Sequence, residues 1–240
     1  MTRAVAAVFF DLYGTLLDLA PLAVACEEVA PGRGEAFARA WRAEQLRLTW
    51  LRTIMAVWED FETVTSDALV WTARGMAVDA ELAASALAHA FDTLPARPEA
   101  RSTLAELRDA GLLVGVLSNG TAGMLDRALG NAGLREAFDH VLSVDLVRRY
   151  KPDPAVYALA VEATGHPPAS IGFVTANDWD AAGASRFGLQ VAWIRPIGQV
   201  EPPRVGAPEP VTTTWTELPT LFLRGRLSGP EHPSATIRGR

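Results

Sequence analysis

Ala6-Ala7-Val8-Phe9-Phe10-Asp11-Leu12-Tyr13-Gly14-Thr15-Leu16 is the stretch whose reading decides the fold. A near-continuous apolar run stops abruptly at a carboxylate, a glycine and a hydroxyl. The run does not alternate polar with apolar residues, so it predicts a strand buried on both faces, as in a parallel sheet. Parallel α/β sheets bind ligands beyond the carboxyl ends of their strands. An Asp placed there loses its hydration shell, which is costly unless the group is paired or used. Asp11 is therefore the first candidate nucleophile.

Working outward, the pattern from about Asp18 to Leu94 is helical and strand-poor. Pro31-Gly32-Arg33-Gly34 separates two helices, and Phe37, Trp41, Leu46, Leu48 and Leu51 are expected on one apolar face. Further helices are expected over Val57–Thr72 and Asp79–Phe91. Pro95-Ala96-Arg97-Pro98 breaks this pattern and α/β alternation resumes. The series runs helix Glu99–Ala110, strand Leu112–Leu117, helix Thr121–Asn131, strand His140–Ser143 and helix Pro154–Thr164. Strand Ile171–Thr175, helix Trp179–Phe187 and strand Gln190–Ile194 complete it. The fold class is α/β: a Rossmann-like parallel sheet with an all-helical insertion after the first strand. The expected division is an α/β core at 1–17 and 96–226, a helical cap at 18–95, and a tail at 227–240. The tail is rich in Gly, Pro, Ser and Arg with little to bury, and is read as disordered.

Composition narrows the function classes. The 240 residues carry a net charge of −6 with no basic stripe, which argues against nucleic acid as a partner. Cys26 is the one cysteine, so an internal disulfide framework or a cysteine-based metal cluster is excluded. No leader-like segment precedes the first strand and no apolar run reaches membrane-spanning length. The expectation is a cytoplasmic protein without a membrane partner. His89, His140, His166 and His232 lie outside any metal-ligand spacing.

Polar groups converge on the expected carboxyl edge of the sheet from separate segments. The first supplies Asp11 and Thr15, and Leu117-Ser118-Asn119-Gly120 adds a hydroxyl and an amide. Tyr150-Lys151-Pro152-Asp153-Pro154 brings a lysine just before a Pro-initiated helix. Thr175-Ala176-Asn177-Asp178-Trp179-Asp180 ends a strand in a dense polar cluster. Each group alone has a plainer reading. Thr15, Ser118, Asn119 and Asn177 are turn or cap residues by type. Lys151 and Arg42 read as solvated charges, and Asp180 as a structural partner of Lys151. Tyr157, Leu46, Phe61 and Trp179 read as core. Trp50, Trp58, Trp71, Trp193 and Trp215 are taken as packing.

In register, these segments resemble the haloacid dehalogenase superfamily, and in particular its L-2-haloacid dehalogenase branch. The resemblance rests on Asp11-Leu-Tyr-Gly-Thr-Leu16, Trp41-Arg42, Ser118-Asn119-Gly120, Tyr150-Lys-Pro-Asp153 with Tyr157, and Asn177-x-Trp179-Asp180-Ala181-x-Gly183-Ala184. It covers about residues 4 to 223. Phosphatases of this superfamily carry a second Asp two positions after the nucleophile and a magnesium-binding Asp five residues before the position of Asp180. Tyr13 and Thr175 stand at those places. Phosphoryl transfer needs a cation to neutralise phosphate oxygens, whereas halide departs from carbon as an anion without a proton. Asp178 adds a carboxylate nearby, at a spacing that directs it away or makes it a helix cap.

The resemblance implies a metal-independent, cofactor-free hydrolase acting on short 2-haloacids. Asp11 attacks C2 in an SN2 displacement and water then hydrolyses the aspartyl ester. Arg42 and Asn119 hold the leaving halide, and backbone amides near Leu12 and Ser118, with the Ser118 hydroxyl, hold the substrate carboxylate. Trp179, Tyr13, Leu46 and Phe61 line the pocket. Lys151, Asn177 and Asp180 orient the water and keep Asp11 ionised, supported by Thr15 and Tyr157. The branch usually has Ser where this chain has Thr175, whose extra methyl restricts rotamers and adds bulk. Family members are commonly dimers, so a homodimer is expected. The alternatives are a magnesium-dependent phosphatase of the same superfamily and a non-catalytic homologue.

Overall fold

The computed structural model describes residues 5–195 and 211–223. The expected tail at 227–240 lies outside them. The strands are β1 (Ala7–Phe10), β2 (Leu113–Ser118), β3 (His140–Ser143), β4 (Ile171–Thr175), β5 (Gln190–Ile194) and β6 (Val211–Thr213). They form one parallel sheet in the order β3-β2-β1-β4-β5-β6. β1 is buried along its whole length, as its unbroken apolar run requires. The strand order reverses between β1 and β4, and Phe10 pairs with Val116 on one side and Val174 on the other. Asp11 therefore emerges at the topological switch point, where open α/β sheets bind ligands.

Four helices follow β1 before the sheet resumes: α1 (Ala20–Val29), α2 (Gly34–Met55), α3 (Phe61–Gly75) and α4 (Ala80–Leu87). The core helices are α5 (Ala100–Asp109), α6 (Ala122–Asn131), α7 (Pro154–Thr164), α8 (Asp178–Phe187) and α9 (Leu218–Leu223). Local chemistry fixes their starts. The Asp60 carboxylate accepts from Thr63 N, the Thr121 hydroxyl from Met124 N, and the Asp153 carboxylate from Ala155 N ahead of Pro154. α2 lies between α1 and α3, and α8 packs on β4 and β5.

The core strands and helices match the sequence reading closely, while the insertion differs in detail. The helix expected over Val57–Thr72 starts at Phe61, where the Asp60 cap sets it, and the one expected to reach Phe91 ends at Leu87. The buried stripe of α2 is Phe37, Trp41, Gln45 and Thr49, an i, i+4 row. Leu46 and Leu48 are half-buried beside that row, and Leu51 is exposed. Trp71 is 67% exposed and does not pack, whereas Trp193 and Trp215 are buried and Trp58 stacks on Tyr150. β6 and α9 had no counterpart in the sequence reading.

Candidate active site

Asp11 leaves β1 with its N–H donating to the Val174 carbonyl at 2.9 Å, which ties it to β4. The chain then turns sharply: Gly14 takes φ +87°, a left-handed conformation that a side chain would strain, and its N–H donates to the Leu17 carbonyl at 3.0 Å. That turn brings Thr15 back under Asp11. The Thr15 hydroxyl donates to Asp11 Oδ2 at 2.9 Å and accepts from Ala176 N at 3.0 Å. Asn177 Nδ2 donates to the same Oδ2 at 2.9 Å. Asn177 occupies the position before α8 without capping it by its side chain, so its amide serves Asp11 instead.

Asp11 Oδ1 faces the other way, toward Lys151 Nζ at 3.0 Å. Lys151 is fully buried, and its Nζ also donates to Asp180 Oδ2 at 2.9 Å. Asp180, in the first turn of α8 and fully buried, accepts from the Tyr157 hydroxyl through Oδ1 at 2.8 Å. Tyr157 sits close against Gly183, where a Cβ would lie 2.6 Å from the phenol oxygen. The glycine in α8 is what lets α7 present that hydroxyl to Asp180. A buried charge is tolerated only when paired and hydrogen-bonded, and this cluster satisfies each of its members.

The electrostatics follow from that arrangement. Burial works against the Lys151 charge, yet Asp11 and Asp180 more than offset it, and its pKa lies above the ordinary value. Burial raises Asp180 to about 6, held back by Lys151 and by the Tyr157 hydrogen bond and reinforced by the charge of Asp11. Burial, with Asp180 adjacent, drives Tyr157 well above its usual range, so it is a neutral donor.

The remaining candidates occupy the rim. Asn119 Oδ1 accepts from Lys151 N at 3.0 Å, and the Ser118 hydroxyl accepts from Gly120 N at 3.2 Å, leaving the Ser118 proton to point elsewhere. Neither caps α6, because Thr121 does so. Leu12 is fully buried, and its carbonyl accepts from Thr15 N and Leu17 N. The buried Thr175 hydroxyl accepts from Asn177 N at 3.1 Å, fixing the loop that carries the amide. Asp178 is exposed and makes no cap, so it stands clear of the cluster.

From the insertion, Phe61 stacks on Tyr13 with centroids 6.2 Å apart, and Phe91 meets the Tyr13 edge at 5.4 Å. The Tyr13 hydroxyl is buried with no hydrogen-bond partner. Burial, with Asp92 nearby, raises its pKa, so it too stays a neutral phenol. Arg42, half-buried on α2, lies within the electrostatic reach of Asp11 and Tyr13; burial pulls its pKa down and those groups pull it back. Leu46 lies one turn on, beside Arg42, in a mainly apolar cavity of about 470 Å³ between α1 and α2. Trp179 is half-buried and meets Trp50 edge-on at 5.8 Å.

Sequence reasoning missed several neighbours of this site. Trp50, which reads as packing, packs against Trp179, and nothing in the sequence reading singles out Phe91 or Gln45. The available signal for Gln45 was a polar residue on the i, i+4 stripe continued from Phe37 and Trp41. Asp92 is also buried; it pairs with Arg127 at 2.8 Å, and Arg127 in turn reaches Glu62 at 2.7 Å, joining α6 to α3.

Divalent metal sites need several oxygen acceptors with lone pairs free. Among the described residues no group of three or more His, Cys, Asp or Glu side chains is arranged to hold a metal ion. Both carboxylates of the cluster already face one ammonium, and the other groups around Asp11 are hydrogen-bond donors.

A family model described as haloacid dehalogenase-like hydrolase matches residues 5–188. The (S)-2-haloacid dehalogenase of Pseudomonas sp. (strain YL) is 43% identical over 194 residues, 80% of this chain and 84% of that protein. Haloacetate dehalogenase H-2 of Moraxella sp. (strain B) is 40% identical over 197 residues, 82% and 88% of the two chains. The solved structure of the L-2-haloacid dehalogenase from Xanthobacter autotrophicus with chloropropionic acid covalently bound is similar at a TM-score of 0.83 and 37% identity, covering 92% of this chain and 99% of that one. A sheet of this order with Asp11 at its switch point, and a family match spanning most of the chain, make this protein a member of the haloacid dehalogenase-like hydrolases.

Proposed function

We propose that this protein hydrolyses the carbon–halogen bond of short L-2-haloalkanoic acids or haloacetates, without a metal, through a covalent ester on Asp11. The observation that carries this reading is the environment of Asp11: its carboxylate accepts from one lysine, one hydroxyl and one amide, and the neighbouring carboxylate, Asp180, is engaged by that same lysine. The relatives' names supply the substrate class.

The two Asp11 oxygens have different roles. Oδ2 accepts two hydrogen bonds, whereas Oδ1 faces only Lys151, so Oδ1 is the nucleophile. It forms a bond to C2 as the halide leaves with the C–X electron pair, inverting C2. Arg42 and Asn119 receive the halide, and the Ser118 hydroxyl with backbone N–H groups near Leu12 and Ser118 binds the substrate carboxylate. Tyr13, Leu46, Phe61 and Trp179 exclude water from the alkyl group. In the ester, Oδ2 is the carbonyl oxygen, already facing Thr15 and Asn177, and these donors stabilise the oxyanion when water attacks Cγ. Lys151 and Asp180 orient that water, Asp180 takes up its proton, and Tyr157 and Thr175 hold Asp180 and Asn177 in place. Cleavage of the Cγ–Oδ1 bond expels the alkoxide, which takes that proton back from Asp180 and leaves as the 2-hydroxy acid, and the oxygen from water restores the carboxylate.

The helical segment 18–95 acts as a cap over the core at 1–17 and 96–226, supported by the contacts of Phe61 with Tyr13 and Trp50 with Trp179. Exposed Ile54 and Met55 at the end of α2, with Val57 just after it, give a homodimer an apolar surface. The free thiol of Cys26 suits a reducing cytoplasm. Among the described residues no helix is long and apolar enough to cross a membrane.

The test is halide release from L- and D-2-chloropropionate with a chelator present. The expected result is release from the L form only, yielding the D-hydroxy acid, with no ester in the intact mass of Asp11→Asn. Activity abolished by the chelator, together with turnover of a phosphomonoester, replaces this reading with the phosphatase.

A further inference from the structure

The four arginines of α2 are treated differently by their surroundings. Arg39 pairs with Glu35, Arg47 with Glu44, and Arg52 with Asp67. Arg42 has no carboxylate within ion-pair distance among the described residues. Its Nη1 instead donates to the side-chain oxygen of Gln45 at 2.5 Å. Gln45 is fully buried on the stripe that otherwise carries Phe37 and Trp41, a place where an amide costs free energy unless both its ends are satisfied. Both ends are engaged. Its Nε2 donates to the Thr65 hydroxyl at 2.6 Å, that hydroxyl donates to the Phe61 carbonyl at 2.6 Å, and Trp41 Nε1 donates to the Thr65 carbonyl at 2.9 Å.

We propose that Gln45, braced by Thr65 on α3, is a positioning residue that fixes the Arg42 guanidinium toward the departing halide while leaving its positive charge uncompensated. The inference rests on the reading of Arg42 as a halide ligand. A guanidinium is a rigid planar fork, so holding one N–H fixes the direction of the others. A neutral amide supplies that hold at no cost in charge. A carboxylate at position 45 would hold Arg42 equally well, but it would spend the guanidinium's field on a permanent ion pair before the halide develops its charge. Thr65 is the far anchor: without its hydroxyl the amide has no reason to stay in one rotamer.

The experiment separates the two chemical steps. L-2-chloropropionate is mixed with excess enzyme, quenched at intervals, and the aspartyl ester is followed by intact mass as it forms and as it decays, with L-2-bromopropionate run in parallel. Arg42→Ala is the reference and is expected to slow ester formation. Gln45→Met, similar in length and without hydrogen-bonding ends, is expected to slow ester formation about 10-fold, and Gln45→Glu about 10²-fold. Ester decay should stay within about twofold of the parent in both, because the hydrolysis donors on Asp11 are untouched. The deficit should be larger for chloride than for bromide, the better leaving group, and Thr65→Val should show the same step selectivity more weakly. If Gln45→Met does not fold, Gln45→Glu and Thr65→Val decide the matter.

Parental ester formation in the Gln45 variants, with Arg42→Ala impaired, overturns the inference alone. Equal slowing of formation and decay also overturns it, because that is the mark of a merely structural residue. Parental ester formation in Arg42→Ala sinks the role of Arg42 and this inference with it.

Discussion

Lys151→Met removes one buried charge and strands two others. Lys151 Nζ lies 3.0 Å from Asp11 Oδ1 and 2.9 Å from Asp180 Oδ2, so without the ammonium the two carboxylates face each other at no more than about 6 Å. At an effective dielectric of about 20 their repulsion is about 3 kcal/mol, equivalent to about 2 pH units of proton affinity. In the parent, burial and the charge of Asp11 already raise Asp180; without the ammonium that holds it down, it keeps a proton, shared with Asp11, to a higher pH. A nucleophile that shares a proton attacks carbon poorly, and ester formation should fall by roughly 10²–10³-fold. Loss of one partner from a buried ion cluster costs about 3–5 kcal/mol, or about 10 °C in Tm for a chain of this size. The sign of the pH dependence follows. In the parent, the raised pKa of Lys151 contributes stability that is complete below its ordinary value of 10.5 and is lost only as pH rises through the higher native value. In the variant, the deficit is greatest at alkaline pH, where both carboxylates are charged, and shrinks as acid supplies a proton in place of the ammonium. Thermal melts from pH 5 to 9, together with quenched single-turnover mass spectra, measure both effects. A variant within about 2 °C of the parent at pH 8, or one forming ester within about tenfold of the parental rate, would refute the reasoning.

Further outcomes concern the same cluster. Between 3.8 and about 6 the native chain binds more protons at Asp180 than the unfolded chain does, so this group's contribution to stability falls as pH rises through that window. The acid limb of ester hydrolysis is expected below about pH 6, because esterified Asp11 no longer raises Asp180, and Tyr157→Phe, which removes a hydrogen bond to the charged form, should move it up by about half to one unit in a pH–rate profile. Thr15→Val takes one donor from Asp11 Oδ2, so the ester should accumulate in steady state and be visible by intact mass, with decay slowed roughly 10²-fold. Thr175→Ser keeps the acceptor for Asn177 N and loses a fully buried methyl; urea unfolding should show about 1 kcal/mol less stability, with both chemical steps within about twofold of the parent.

The core was legible in the sequence because its signals are local and strong. The unbroken apolar run of β1, Pro154 at the start of α7 and the strand Gln190–Ile194 each fix an element without help from the rest of the chain. The cluster around Asp11 was legible as a set of residues because its members lie near strand and helix ends: Asp11 directly follows β1, Asn177 directly precedes α8, and Asp180 lies in the first turn of α8. What was not legible was the insertion's orientation. On α2 several apolar residues compete for the inward face, and the row chosen includes Gln45 and Thr49 while Leu51 is left outside. That choice depends on what α1 and α3 present, which no period within α2 encodes. β6 is only three residues long, and its pairing with β5 carries no pattern a sequence reading would separate from loop.

The arrangement also explains why lysine serves where a divalent ion would serve phosphoryl transfer. Without substrate, Asp11 and Asp180 share Lys151, and displacement moves one negative charge from Asp11 to the halide without changing the total. The site therefore needs cations at both ends of that path rather than a concentrated charge at one. Lys151 stands at the start, hydrogen-bonded to the attacking carboxylate. Once Asp11 is esterified, Lys151 keeps Asp180 as its partner and does not become an unpaired buried cation. In the proposed mechanism Arg42 stands at the other end with a neutral neighbour, so its field rises in value as the halide forms. A dication at Asp11 would hold the nucleophile's lone pairs and oppose the transfer of its charge. The lysine pairs with the nucleophile through an adaptable hydrogen bond, which breaks as the carbon–oxygen bond is made.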